Sequence, residues 1–305
     1  MHLINHYAHG LNIKSELFFP EFQINETPKV DVFIRFGKTN LWNKISTKNC
    51  REVYFSKFTK IIISSDNLVY LFWRNIWIFT IRHNEIVINS KTSLDINFLK
   101  FLLFGYGFAI LLHLRGRLVL HANAFNIDDS AIIISGVSGI GKSTISFAFL
   151  QKGYKLLCDD VLSINIEKKC QNVYPSFPRI KLWPDVIQNF EETPEKMPKI
   201  HLNTSKRFYN ASRKFSDDEK QINTIYFIKK RDNNKIKEIT PQKAMMELIK
   251  SSYCFKLFNE RELSENLTQC AALINKIPIK ILEVKKSYES LTNLVKIVEK
   301  DILKN

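Results

Sequence analysis

The stretch that decides the fold reads AIIISGVSGIGKSTISFAFLQKGY, residues 131–154. Its first residues, AIIISG (131–136), are an apolar, β-branched run that predicts a buried strand. A loop rich in glycine follows, and Thr144 to Lys152 predicts a helix closed by Gly153 in the C′ position. Gly136, Gly141, Lys142 and Ser143 match G-x-x-x-x-G-K-[ST]. The chemistry needs those residue types at that spacing. Glycines let the backbone fold back and aim N–H groups at phosphates. The start of a helix adds favourable partial charge for an anion. Gly136, Ser138, Gly139, Ile140, Gly141, Lys142, Ser143 and Thr144 therefore form the expected ATP-binding loop. Lys142 neutralises charge on the transferring end of the nucleotide, and Ser143 is a ligand for Mg²⁺. A chance glycine turn is the competing reading, and four defined residues between a strand and a helix weigh against it.

Upstream, RLVLHANAF (117–125) predicts a strand and NIDDS (126–130) a turn, so the two strands would form a hairpin. His121 then sits beside the strand that feeds the loop. A lone histidine is usually a satisfied core residue; one this near a phosphate site could tune an acid or touch a phosphoryl group. Downstream, KLLCDDVLSIN (155–165) predicts a buried strand with Asp159 and Asp160 embedded in it. Two acids in an apolar strand cost desolvation unless they bind a metal or act together. Side chains alternate along a strand, so both reach one site only near its end or at a twist. A pair at a strand end facing solvent is the bland alternative.

Residues 1–95 read as a β-rich module. KVDVFIRFG (29–37), REVYFSKF (51–58), KIIISSD (60–66), NLVYLFWR (67–74) and NIWIFTIRH (75–83) are strand-like, with turn chemistry at Asp66-Asn67 and Arg74-Asn75. Ile96–Leu114 is helix-like, with Ser93 or Asp95 as its cap. Residues 96–305 would be the second domain. Its YPSFPRIKLWPD (174–185) and the polar stretch to about 220 read as irregular. INTIYFIKK (222–230) and PIKILEV (278–284) read as strands; Pro241–Lys250, Glu260–Asn275 and Ser287–Ile302 read as helices. Arg179 and Lys181, beside Trp183, either clamp a phosphate or an acceptor carboxylate or merely cover an aromatic surface. Lys206 and Arg207 are weaker candidates of the same kind.

Composition bounds the function. A length of 305 residues suggests two packed units, and 45% hydrophobic with 25% charged residues is an ordinary globular balance. Twenty-three Phe and nine Gly exclude a low-complexity chain. The +15 net charge suits a polyanionic partner, but the basic residues are scattered, with no block of five or six. Five Cys form no CxxC pair or Cys/His ligand spacing, which predicts reduced thiols and a cytoplasmic setting. His2, His6 and His9 cluster without an acid among them, a poor metal set. No signal peptide is evident. FLLFGYGFAILLHL (101–114) spans about 21 Å as a helix, short of the ~30 Å bilayer core, so a buried helix and no membrane are expected.

LHANAF, GVSGIGKST, Gly153-Tyr154 and CDDV together resemble the core of the HPr serine kinase/phosphorylase family, whose fold is related to ATP-dependent phosphoenolpyruvate carboxykinase. HGLNIKSELFFPEF (9–22), LLHLRGRLVLHANAF (111–125), YPSFPRIKLWPD, SKRFY (205–209) and TIYFIKK (224–230) resemble the HPr-kinase-like proteins encoded beside ribosomally made peptides, lasso peptide kinases among them. The resemblance implies a mixed α/β fold with a P-loop kinase core; the β-rich module before it, in which nothing looks catalytic, reads from its own residues as a platform for peptide recognition. It implies Mg²⁺-dependent transfer from ATP to a Ser hydroxyl of a precursor peptide, the C-terminal Ser of a lasso precursor being the first candidate. Asp159 takes the general-base place, Asp160 the metal-side place with Ser143, and His121 that of the active-site histidine. Thr144 departs from the Glu of the HPr enzymes, and no EIRGxG loop is present, which argues against HPr-type recognition and the reverse reaction. A kinase for a carrier protein or a small hydroxylated metabolite is the alternative. A nucleotide-switched nucleic-acid-binding protein is the reading from another class, and no recognition helix, zinc finger or RNP-like string supports it. Oligomeric state is left open.

Overall fold

A computed structural model describes residues 3–37, 50–54, 56–92, 94–166, 170–201 and 204–303. The chain forms two compact units. The first holds residues up to Arg117 together with Lys256–Phe258; the second holds Leu118–Phe255 and Asn259 onward. The boundary therefore falls at Arg117 and not at about residue 95.

Among the described residues the first unit holds one nine-stranded sheet of β1 (Ile4–Ala8), β2 (Leu11–Ser15), β3 (Gln23–Ile24), β4 (Val32–Gly37), β5 (Arg51–Tyr54), β6 (Thr59–Ile63), β7 (Val69–Trp73), β8 (Ile76–Arg82) and β9 (Glu85–Asn89), in the order β3-β1-β2-β4-β9-β8-β7-β6-β5. Arg74 and Asn75 both take positive φ (48° and 65°), as a tight two-residue hairpin requires. His9-Gly10 does the same between β1 and β2, a hairpin not predicted from sequence. Asp95 caps α1 (Ile96–Leu102) by accepting from the N–H groups of Asn97 and Phe98; Ser93 lies outside the described residues. One π turn, Leu103–Gly107, leads into α2 (Phe108–Leu114). By length and composition Ile96–Leu114 could cross a bilayer, yet most of it is buried. Phe104 and Phe108 pack with Phe19, Phe22, His6 and His9, so these helices belong with the β-rich module. Burial lowers the pKa of His9 to about 3, so it sits neutral.

The second unit is mixed α/β. It contains β10 (Leu118–Ile127), β11 (Ser130–Ser135), α3 (Lys142–Lys152), β12 (Lys155–Cys158), β13 (Val161–Ile166), β14 (Gln171–Val173), β15 (Arg179–Leu182), α4 (Pro184–Asn189), β16 (Arg207–Asn210), β17 (Lys220–Arg231), β18 (Lys235–Glu238), α5 (Pro241–Ser251), α6 (Glu260–Ile274), β19 (Ile279–Lys285) and α7 (Leu291–Ile302). The sheet runs β11-β10-β13-β14-β17-β19-β18, and β11 also pairs with β17 in parallel, so five strands close a circuit. Strand alternation divides the core. Leu118, Leu120, Ala122 and Ala124 face one apolar cluster that includes Leu248 and Leu273 of α5 and α6. Phe125, Ile132 and Ile134 face another, with Phe147 and Phe149 of α3 and Leu294 and Val298 of α7.

Two expectations change here. The predicted strand 155–165 is broken at Asp159-Asp160, where the buried Asp159 and the partly exposed Asp160 leave the ladder. The segment after Pro175 is not irregular throughout: β15 and β16 form a two-stranded ribbon, with α4 between them in sequence. Ile180 and Leu182 anchor that ribbon in the α3 side of the core.

Candidate active site

The predicted hairpin forms, with Asp128 and Asp129 at positive φ (48° and 63°) in its turn. β11 ends at Ser135 and the glycine loop begins. Gly136, Gly139 and Gly141 all have positive φ, 158°, 77° and 115°. At Gly136 space matters as well as backbone freedom: a Cβ there would meet Ile140 at 3.1 Å and Ile228 of β17 at 3.5 Å. At Gly141, the residue preceding α3, the backbone angle alone disfavours any side chain. Lys142 opens the helix and is buried. Its Nζ donates to the carbonyls of Gly136 (2.6 Å) and Val137 (3.3 Å), closing the loop on itself. Burial lowers its pKa, and Asp160 and Asp159 pull the other way. Ser143 and Thr144 follow in the first turn, both partly exposed.

The acids stand on the neighbouring strand pair. Cys158 lies opposite Ala124, and Val161 lies opposite His121, so the register is the same on both sides of the break. Between them Val161 N–H donates to Asp159 O at 3.0 Å around Asp160, whose φ is 77°. That is a γ-turn of the uncommon hand, a strained conformation for a non-glycine residue. It solves the problem that alternation posed, because it brings both carboxylates to one place.

The two carboxylates have opposite electrostatics. Asp159 is buried and accepts the backbone N–H of Lys181 at 3.0 Å. Desolvation pushes its pKa up to about 6 against the pull of the Lys181 charge. Asp160 is also disfavoured by desolvation, but Lys181 and His121 outweigh it and hold the carboxyl well below the usual range. Its Oδ1 lies 2.9 Å from His121 Nε2, and its Oδ2 accepts from Lys181 Nζ. One carboxyl is poised to exchange a proton near neutrality and the other stays charged, a separation typical of acid–base sites.

Two residues that sequence reasoning missed complete the site. Asn123 is buried; its Nδ2 donates to Ser146 Oγ of α3 at 2.6 Å, and its Oδ1 accepts Asp160 N–H at 3.2 Å. It ties the acid turn to the helix that follows the glycine loop. Alternation along LVLHANAF carried that signal, since His121 and Asn123 share a face. Tyr253 meets the His121 ring edge-on at 5.9 Å, held by its N–H to Val119 O at 2.9 Å. It follows α5, more than a hundred residues from His121, and no local pattern points to it.

The predicted basic residues separate. Lys181 joins the acids. Arg179 lies over the Phe208 ring at 5.1 Å and Lys206 over Trp183 at 4.8 Å. Arg207 lies opposite Leu182, and its guanidinium donates to Met197 O at 3.3 Å. Lys206 and Arg207, adjacent in sequence, therefore point to opposite faces of the ribbon. Among the described residues no group of three or more His, Cys, Asp or Glu could hold a metal, and His6 sits in the aromatic core; His2 lies outside the described residues. Asp160 and Ser143 offer hard oxygen donors, the set Mg²⁺ takes when phosphates and water supply the rest. No disulfide forms among the described cysteines.

No family model matches the chain, and no curated protein matches it. Among solved structures, the HPr(Ser) kinase/phosphatase from Coxiella burnetii is similar over 61% of this chain and 91% of that one, at 14% identity and a TM-score of 0.34. So loose a likeness assigns no role to any residue; the roles that follow rest on the geometry above.

Proposed function

We propose that the chain is an ATP- and Mg²⁺-dependent phosphotransferase with an HPr-kinase-like core, acting on the hydroxyl of a Ser in a peptide. The C-terminal Ser of a ribosomally made lasso precursor is the first acceptor to test. The observation that carries the reading is the convergence of a glycine loop, Lys142 and two carboxyls of opposite proton affinity at one end of one sheet.

The loop's N–H groups and the first turn of α3 would hold the phosphates, and Lys142 would leave its carbonyl partners to meet them. Ser143 and Asp160 would hold Mg²⁺, which when bound neutralises charge on the transferring phosphates. Asp159 accepts the proton of the acceptor hydroxyl as its oxygen attacks; a pKa of about 6 keeps it ionised at neutral pH yet basic enough to help. His121 donates from Nε2 to Asp160 and, with Asn123, fixes where that carboxylate stands.

The test is mass spectrometry of a Ser-terminated precursor peptide incubated with Mg²⁺-ATP. The expected product carries one phosphate on the Ser hydroxyl, and a folded Lys142→Ala protein makes none. Wild-type turnover by folded Lys142→Ala would sink the reading; label confined to internal Ser or Thr would sink the terminal-Ser acceptor alone.

A further inference from the structure

The ribbon β15–β16 has one buried and one open face. Its register pairs Arg179 with Asn210, Ile180 with Tyr209, Lys181 with Phe208 and Leu182 with Arg207, and continued one step it sets Trp183 opposite Lys206. Residues directly opposite share a face. Ile180 and Leu182 turn to the core, with Tyr209 packed against it and Arg207 on the same side. The open face carries Arg179, Lys181, Trp183, Lys206 and Phe208, cations interleaved with rings.

These cations are not equivalent. Lys181 is committed to Asp160. Arg207 is on the other face. Lys206 is partly buried and makes no ion pair among the described residues; its ammonium rests on the indole of Trp183, which is 45% exposed. Burial and the nearby Lys181 charge disfavour its protonated form, while Asp160 and Asp159 support it. A partly desolvated ammonium beside a reactive carboxyl pair, with a flat apolar wall behind it, is a seat for an anion. A single ammonium without a guanidinium fork suits a monoanionic carboxylate better than a phosphate dianion, which usually recruits several donors.

We propose that Lys206, backed by Trp183, is the specificity-determining seat for a carboxylate that the phosphoryl acceptor carries beside its reacting hydroxyl. The inference rests on the phosphotransferase reading of the acid pair. It goes beyond that reading by making Lys206, and not Lys181 or Arg179, the residue that selects the acceptor.

N-Acetylserine carries the hydroxyl and the carboxylate; N-acetylserinamide carries the hydroxyl alone. Each is titrated into protein saturated with Mg²⁺ and AMP-PNP, followed by tryptophan fluorescence, with Trp183→Phe identifying which of the four indoles reports. Wild type should bind the acid about tenfold more tightly than the amide, the size of one charge-assisted hydrogen bond. Lys206→Met should erase that preference without changing AMP-PNP affinity, and Lys206→Arg should restore part of it. Equal binding of acid and amide by wild type, or a preference that survives in Lys206→Met, would overturn the proposal. So would weakened AMP-PNP binding in Lys206→Met, which would give the lysine to the nucleotide, or inorganic phosphate binding this seat more tightly than N-acetylserine. If wild type bound no Mg²⁺·AMP-PNP at all, the phosphotransferase reading would fail first; the acid/amide comparison without nucleotide would still decide on Lys206.

Discussion

Replacing Asp159 by Asn should make the protein more stable while removing its activity. In the unfolded chain this carboxyl loses its proton near 3.8; in the folded chain burial holds the proton to about 6. Between those values the folded state binds more protons than the unfolded one, so stability falls as pH rises through that window. The gap is worth about 3 kcal/mol, at about 1.4 kcal/mol per pH unit. Asn keeps an oxygen for the Lys181 N–H and carries no charge to desolvate. Above pH 7 Asp159→Asn should therefore gain up to about 3 kcal/mol over wild type, and at pH 4 almost nothing. Asp160→Asn should do the reverse. Its carboxyl is held charged by Lys181 and His121, so it contributes stability above 3.8 that is lost only as pH falls through its depressed folded value. Removing the charge leaves the Lys181 ammonium unmatched and the His121 N–H with a weaker acceptor, and should cost about 2–4 kcal/mol at neutral pH. Urea denaturation of the three proteins at pH 4, 6 and 8 separates these outcomes, with phosphate transfer measured alongside. Asp159→Asn and Asp160→Asn shifting stability in the same direction at pH 8 would refute the split between the two acids.

Asn123→Ala removes its hydrogen bond to Ser146 of α3 and the one it accepts from Asp160 N–H, and should cost about 1–3 kcal/mol by denaturation; kcat should fall more than nucleotide affinity, because Asp160 is displaced while the loop remains. Gly141→Ala forces a side chain into φ 115° and should cost about 1–2 kcal/mol, read as a lower melting temperature, and weaken nucleotide binding by calorimetry. Burial raises the thiol pKa of Cys158 and Cys254, and that of Cys270 to about 12, so in native protein at pH 8 a thiol reagent should modify only the partly exposed Cys50 and Cys170 until denaturant is added.

Local chemistry made the centre of the second unit legible. β11, the glycine loop and α3 lie where the apolar run, the glycines and the helical pattern put them, because each is specified within a few residues of sequence. The acid pair was visible as two carboxyls in an apolar strand, but its γ-turn was not, since Asp160 is held by Asn123, His121 and Lys181 from two other strands. The ribbon β15–β16 escaped for the same reason: its strands pair across more than twenty residues, and the prolines and charges between them read as loop. The His9-Gly10 hairpin was hidden by the weak strand character of its flanks, which are held by aromatic packing.

The closed circuit of strands has a consequence for how the chain is made. β11 pairs with β10 as soon as the hairpin emerges, but its other neighbour is β17, and Ser135 meets Phe227 only after 92 further residues have been synthesised. At about 5–20 residues per second that interval is roughly 5–20 s. Throughout it the strand that carries the glycine loop presents an unpaired edge, the kind of surface at which wrong strands add. Ile228, against which Gly136 closes, arrives in the same late segment. A nascent chain or truncation ending before residue 220 holds the whole glycine motif and both acids, yet lacks the strand that shapes the loop; on the phosphotransferase reading proposed above, such a truncation should bind no nucleotide.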